Sequence, residues 1–320
     1  MNDLTLLYDM RAPDSGAPAD ALYRAAVEQC AWADTRGFTG VTLTEHHATS
    51  DGYLPSPMIL GAAVAGSTQN LLIRLSLVLL PLYHPLRAAE DLAVLDLISG
   101  GRLRLTVGLG YRPEEYEQLG VVMRQRPSLM EEAVETLKSA WTGEPFEYRG
   151  RTVRVLPRPA QRPRPLIAMG GASPASARRA ARIADDYQPL SPKLYDLYLA
   201  ELAALGRAAP QRGPAGAGTY LFVSEDPDRD WARIAPHAVH DNNEYASWIG
   251  TRTGAFSSTT GADELRRTGP YRVVTPDECL AIAAAEDTVA FKPLVGGLDP
   301  EIGWEGLHLF ADKVLPHLQT

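Results

Sequence analysis

The chain is poor in cysteine, with only Cys30 and Cys279 among 320 residues. Two such thiols exclude a disulfide framework. Neither lies beside His or Cys at metal-ligand spacing, so no metal site is expected and both should be buried, idle thiols. Basic residues are in deficit: 31 Lys and Arg stand against 39 Asp and Glu, a formal net charge of −8. A nucleic-acid or anionic-membrane surface needs the opposite balance, so neither partner is expected. Long apolar runs are missing too. The run near Leu75–Leu82 falls far short of the roughly 20 residues that span a bilayer. Met1 to Leu7 carries Asp3 and no basic n-region, which argues against a signal peptide. A soluble cytoplasmic protein is the expectation. After the apolar run Leu4–Tyr8 comes Asp9-Met10-Arg11-Ala12-Pro13, with no glycine pattern. A doubly wound dinucleotide-binding sheet would place its fingerprint there.

What is present is a repeating alternation. Apolar residues make up 45% of the chain, enough for a large core. Short β-type runs at Leu4–Tyr8, Val41–Thr44, Ile73–Leu80, Leu103–Val107, Leu166–Met169, Tyr187–Leu190, Tyr220–Val223 and Thr288–Lys292 alternate with helical stretches. The helices are expected at Pro18–Arg36, Pro57–Ser67, Pro85–Ile98, Pro127–Trp141, Pro174–Ile183, Pro192–Leu205, Pro276–Ala285 and Trp304–His317. Glu144–Val155 reads as a small hairpin. About eight strand–helix units predict a (β/α)8 TIM barrel formed as one domain over 1–320. An irregular insertion at about 208–272 is expected over the C-terminal face of the strands. Its 237–272 part holds Tyr245, Trp248 and Phe256, which suit a lid over an apolar or aromatic substrate.

Three loops carry chemistry. Glu45-His46-His47 follows the second strand directly, at the barrel end where active sites are built. Histidine moves protons near neutral pH, and Glu45 could fix its tautomer. Gly108-Leu109-Gly110-Tyr111 follows the fourth strand, where glycines admit a flat ring or a phosphate. Met169-Gly170-Gly171-Ala172-Ser173 leads into a helix that also carries Ser176 in its first turn. Free amides, the helix dipole and two hydroxyls suit an anion there, with Arg112, Arg178 and Arg179 as other candidate phosphate ligands. The three loops together predict a phosphate-bearing planar cofactor beside a proton-moving group.

Several of these segments resemble the bacterial luciferase-like flavin monooxygenases. Leu43-Thr44-Glu45-His46-His47 is similar to the family's strand-end motif. The stretch from Leu79-Leu80-Pro81 through Glu90-Asp91, Ser99-Gly100-Gly101-Arg102 and Gly108-Leu109-Gly110 is similar as well. So are Gly170-Gly171-Ala172-Ser173 and the closing Glu305-Gly306-Leu307-His308 segment. The resemblance implies a barrel that takes reduced FMN from a separate NAD(P)H flavin reductase and uses O2 to oxygenate a small organic substrate. It implies His46 as the catalytic histidine, with Glu45 and His47 in support. It further implies Gly170–Ser176 as the phosphate loop and a cis bond at Ser76-Leu77 under the flavin ring. A homodimer through the 57–67 and 85–98 helices is implied too, the former rich in small residues (Gly61, Ala62, Ala63, Ala65, Gly66). Luciferases proper carry Arg where Leu109 stands here. A neighbouring branch uses the deazaflavin F420 for hydride transfer, generally without the Glu-His-His triplet. Dehydrogenase or reductase chemistry on F420 or FMN is therefore the second expectation, and a non-enzymatic flavin-binding protein the third.

Overall fold

The computed structural model describes residues 2–210, 219–249, 258–259 and 261–318. Strands β1 (Asp3–Tyr8), β2 (Gly40–Leu43), β3 (Leu72–Val78) and β4 (Leu103–Val107) alternate with helices α1 (Ala19–Asp34), α2 (Pro57–Ser67) and α3 (Pro85–Ile98). Helices α4 (Pro113–Gln118) and α5 (Arg126–Ala140) follow, then the antiparallel hairpin of β5 (Phe146–Tyr148) and β6 (Arg151–Val153). The winding resumes with β7 (Ile167–Gly171), α6 (Pro174–Ile183), β8 (Asp186–Pro189), α7 (Pro192–Ala204) and β9 (Tyr220–Val223). It ends with α8 (Pro227–Ile249), α9 (Ala262–Thr268), β10 (Tyr271–Val274), α10 (Pro276–Ala285), β11 (Thr288–Phe291), α11 (Pro300–Lys313) and α12 (Leu315–Leu318).

The main sheet has nine strands in the order β10-β9-β11-β1-β2-β3-β4-β7-β8. Every ladder in it is parallel. This is the expected (β/α)8 barrel with β10 added beside β9. Alternate residues of a strand share one face. Leu4, Leu6, Val41, Leu43, Ile73, Leu75, Leu105 and Val107 accordingly present one apolar face of the sheet to the buried core, while Thr5, Thr42, Arg74 and Arg104 stand on the other. Proline opens many of the helices: Pro57, Pro85, Pro174, Pro192, Pro276 and Pro300 each begin one. At that position the missing N–H has no intrahelical acceptor to lose and φ is already set. Cys30 and Cys279 are buried free thiols. No described helix is long and apolar enough to cross a membrane.

The segment expected as an irregular insertion contains regular elements among its described residues. Residues 227–249 form a helix, followed further on by α9 and the strand β10. Helix α8 buries Trp231, Ile234, Ala235 and Ala238, spaced by three and four as on one helical face. Pro236 and the Asn242-Asn243 pair, poor helix formers, conceal that stripe in the sequence. Strand β10 buries Tyr271 and Val273 and exposes Arg272, the period-two signal of a strand. Phe256 lies outside the described residues.

Candidate active site

Because the strands are parallel, the loops after β1, β2, β3, β4, β7 and β11 open on one face. Two non-glycine residues there have left-handed backbone, Met10 (φ 58°) after β1 and Ala48 (φ 52°) after β2. Such strain persists only where the surroundings enforce it, and it clusters at functional sites.

His46 stands at the centre of this face and is only 7% exposed. Its Nδ1 lies 2.6 Å from Oε1 of Glu115 in α4, and its Nε2 lies 3.1 Å from the hydroxyl of Tyr111. The rings of Tyr53, Tyr111 and Trp248 surround it at centroid distances of 4.9, 5.3 and 4.8 Å. Burial is the largest influence on the imidazole. With Arg112 and Arg11 it holds the pKa below the ordinary histidine value, although Glu115 pulls upward. His46 is therefore neutral near pH 7 and able to accept a proton.

Glu45 does not serve His46. Its Oε1 accepts from the Tyr83 hydroxyl (2.8 Å) and lies 2.8 Å from Nε2 of His47, while its Oε2 accepts from the Leu79 amide (3.0 Å). Glu45 thus ties β2 to the segment after β3, and the group that orients His46 is Glu115. Glu115 also accepts from the His47 amide at 3.1 Å. Its position near the start of α4, just past the glycine loop, was the one sequence signal that could have found it. The His47 ring is held by Glu45, and its backbone amide meets Glu115.

The strands that end next to the Tyr111 loop, β3, β4 and β7, pair side by side. The Ser76-Leu77 bond is cis, as the resemblance implies. The Leu77 side chain runs between the ends of β4 and β7. A Cβ on Gly108 would sit 2.6 Å from it, and one on Gly170 would sit 2.4 Å from it. These glycines make room for the Leu77 side chain first. Leu109 turns its carbonyl to the Tyr116 hydroxyl. Gly110 takes a left-handed φ of 69°, which aims Tyr111 at His46. Met169 is buried in the core.

The loop after β7 splits the two serines expected to hold a phosphate. Ser173 caps α6, accepting from the Ser176 amide at 3.2 Å, and remains exposed with Ala172. Ser176 is buried. Its Oγ accepts from the Ser173 amide (3.1 Å), donates to the Ser173 carbonyl (2.6 Å) and meets the Tyr187 hydroxyl (2.8 Å). Its hydroxyl is used up inside the capping box, contrary to the expectation that it faces a ligand. A Cβ on Gly171 would strike Ser176 at 2.3 Å. The alternative arginines are engaged elsewhere. Arg178 pairs with Glu201 (3.1 Å), Arg179 with Glu131 (3.0 Å), and buried Arg112 donates to the carbonyls of His47 (2.5 Å) and Ala48 (3.2 Å). An exposed helix N-terminus capped by Ser173, following the Gly170 that Leu77 lies over, fits a cofactor with a terminal phosphate.

A second, buried charge network escaped the sequence reading. Lys292, after β11, lies 2.7 Å from Asp9 and 2.5 Å from Asp241 of α8. Arg11 pairs with Asp51 and, at 2.9 Å, with Asp241. His240 lies 2.9 Å from Asp51, and Tyr271 donates to Asp241 at 2.5 Å. Burial pushes the Asp9 carboxyl up despite Lys292. Burial would raise Asp51 as well, but hydrogen bonds from His240 and Arg11 hold it below the usual range. The Arg11 guanidinium lies 4.8, 4.8 and 4.5 Å from the rings of Tyr53, Tyr245 and Trp248. The network fastens α8 to the barrel and so sets Trp248 against His46.

Comparison with known proteins agrees with this geometry. Residues 5–290 match the family model of the luciferase-like monooxygenases. The chain is 29% identical over 162 residues to the oxygenase component of a flavin-dependent trigonelline monooxygenase from Acinetobacter baylyi, covering 48% of this chain and 45% of that protein. It is 28% identical over 325 residues to an F420-dependent glucose-6-phosphate dehydrogenase from Microbacterium testaceum, covering 90% and 91%. The chain spans about half the length of several other curated relatives it matches. The crystal structure of the monooxygenase RslO1 from Streptomyces bottropensis superposes with a TM-score of 0.77 over 99% of both chains at 24% identity. By the family match over most of its length and the site that the strand ends build, the chain belongs to the luciferase-like monooxygenase family.

Proposed function

We propose that the chain is the oxygenase of a two-component flavin monooxygenase. It takes reduced FMN from a separate NAD(P)H-dependent reductase and oxygenates a small organic substrate with O2. The observation that carries this reading is the buried imidazole of His46, fixed by Glu115, on the same strand-end face where the Leu77 side chain lies over Gly108 and Gly170. Reduced flavin, when bound, would supply the electrons that activate O2. The protein's own part is to hold the ring against Leu77, receive the phosphate at Ala172 and Ser173, and keep water out with Tyr53 and Trp248. His46 is the proton-carrying centre of the site, with Glu45 and His47 holding the surrounding loops. His46→Ala should leave folding and reduced-FMN binding near wild type and lower oxygenation on the order of 10²-fold, a common acid–base contribution. Full oxygenation by His46→Ala, assayed with a reductase over a panel of aldehydes, ketones and aromatics, refutes the assignment.

Hydride transfer on F420 or FMN without oxygen is the second reading. It is favoured by the near-full-length likeness to the F420-dependent dehydrogenase and by Leu109 in the loop after β4. Anaerobic binding of reduced FMN followed by air separates the two, with F420 reduction assayed in parallel. Binding of either cofactor without any turnover would indicate a storage or carrier role instead. We also propose a homodimer. Gly61 packs inward against Ile73 and Leu95, but Ile59 on α2 (74% exposed) and Val94, Leu97 and Ile98 on α3 present apolar surface outward.

A further inference from the structure

Both ring nitrogens of His46 are already engaged, Nδ1 by Glu115 and Nε2 by Tyr111. Glu115 is fully buried and His46 nearly so, while Tyr111 is the more open of the three. Tyr111 therefore stands at the more open end of this chain of contacts. We propose that Tyr111 is the catalytic residue that exchanges a proton with the substrate, and that His46 and Glu115 are positioning residues acting through it. The inference rests on the monooxygenase reading above and extends it to the order of proton transfers.

The hydrogen-bond pattern fixes the direction. The Glu115 carboxylate accepts from the His47 amide and lies 3.8 Å from the Arg112 guanidinium, so it also accepts from Nδ1–H of His46. Nε2 then carries a lone pair, and the Tyr111 hydroxyl donates to it. The phenolic oxygen is left with lone pairs that can accept a proton. A proton leaving the substrate forms a bond to this oxygen while the original phenolic proton moves to Nε2. The result is a neutral phenol and an imidazolium facing the Glu115 carboxylate. Running the same steps backwards returns the proton, so none is gained or lost over a cycle. Burial holds the Tyr111 phenol above its ordinary range, with Glu115 adding to the effect, so it is protonated at rest. The left-handed turn at Gly110 and the bond from Tyr116 to the Leu109 carbonyl keep the loop in the pose that this chain of contacts requires.

The test compares the full-length protein with Tyr111→Phe, His46→Gln and the double variant. Reduced FMN is bound anaerobically, oxygen is admitted, and hydrogen peroxide release is timed in H2O and in D2O. Reduced FMN and O2 give oxidised FMN and peroxide, so hydrogens must leave the flavin nitrogens and the site's proton carrier shows in the rate. Tyr111→Phe should bind reduced FMN within about twofold of wild type. It should slow peroxide release on the order of 10²-fold, lose the solvent isotope effect, and be no slower when combined with His46→Gln. In the flavin-free protein, ¹⁵N spectra of His46 should show Nδ1 still protonated in Tyr111→Phe and that preference lost in Glu115→Gln. A Tyr111→Phe protein with the wild-type rate and isotope effect, beside a slow His46→Gln, overturns the proposal in favour of direct action by His46. A wild-type protein that does not bind reduced FMN overturns the functional reading and the relay with it.

Discussion

The two serines of the α6 cap should separate cleanly into a ligand contact and a structural contact. Removing the Ser176 hydroxyl strips a partner from the half-buried Ser173 amide and from the buried Tyr187 hydroxyl at once. Orphaned buried groups of this kind cost about 1–3 kcal/mol. With an unfolding entropy of roughly 0.7 kcal/mol/K for 320 residues, a loss of about 2 kcal/mol lowers Tm by about 3 °C. Ser173 is exposed, and Ser173→Ala removes only the acceptor for the Ser176 amide, about 1 kcal/mol of capping. If its hydroxyl faces the phosphate, FMN binding also loses about 1–2 kcal/mol, roughly 5- to 30-fold in Kd, while riboflavin binding does not change. The assay titrates reduced FMN and reduced riboflavin against wild type and both variants and records thermal melts. The FMN-to-riboflavin preference should fall about tenfold in Ser173→Ala and stay within about twofold in Ser176→Ala. The opposite pattern, or equal affinity of wild type for the two flavins, shows that this helix start binds no phosphate. Gly171→Val cannot decide the matter, because its side chain would collide with Ser176 and break the cap whether or not a phosphate binds.

Three further outcomes are expected. Arg11→Met leaves Asp9 and Asp241 with Lys292 as the remaining buried cation and Asp51 with His240 alone, and should destabilise the fold by about 3–5 kcal/mol in chemical denaturation; a change below about 1 kcal/mol contradicts the network's role. The hydrogen bond to Asp51 raises the His240 pKa, so their pairing stabilises the fold fully below about pH 6.5 and fades as pH rises through the higher folded value. The Tm deficit of His240→Gln should therefore be larger near pH 6 than near pH 9, and a deficit that grows with pH rejects the pairing. Ile59→Asp should convert the proposed dimer to monomer in light scattering at micromolar protein; a wild-type monomer rejects the dimer outright.

The barrel was legible because its signals are local. α2, α3 and α6 fall where proline and alternation put them, since a proline start and an apolar stripe depend on a dozen neighbouring residues. His46 was legible for the same reason, standing directly after a strand. Its partner Glu115 lies 69 residues away, and no spacing links the two. Glu45 was credited with that role because it is adjacent in sequence, but consecutive residues leaving a strand point in opposite directions. Gly108 and Gly170 were read as space for a ligand. The first thing that needs the space is the Leu77 side chain, and its position follows from three strands meeting rather than from any motif.

The buried charges at the mouth show why a site of this kind cannot be read piece by piece. Asp9, Arg11, Asp51, Asp241 and Lys292 come from the loops after β1, β2 and β11 and from α8, and each alone would be an uncompensated charge in the core. Only the pairing of β1 with β11 brings Lys292 to Asp9, and only the docking of α8 brings Asp241 to both cations. The aromatic wall around His46 hangs on the same helix, through Tyr245 and Trp248. Closing the sheet between its first and last strands is therefore also the step that completes the catalytic face. A chain that has not formed β11 holds Asp9 and Asp241 without Lys292, so its α8 has less to fasten it and Trp248 has no fixed place beside His46.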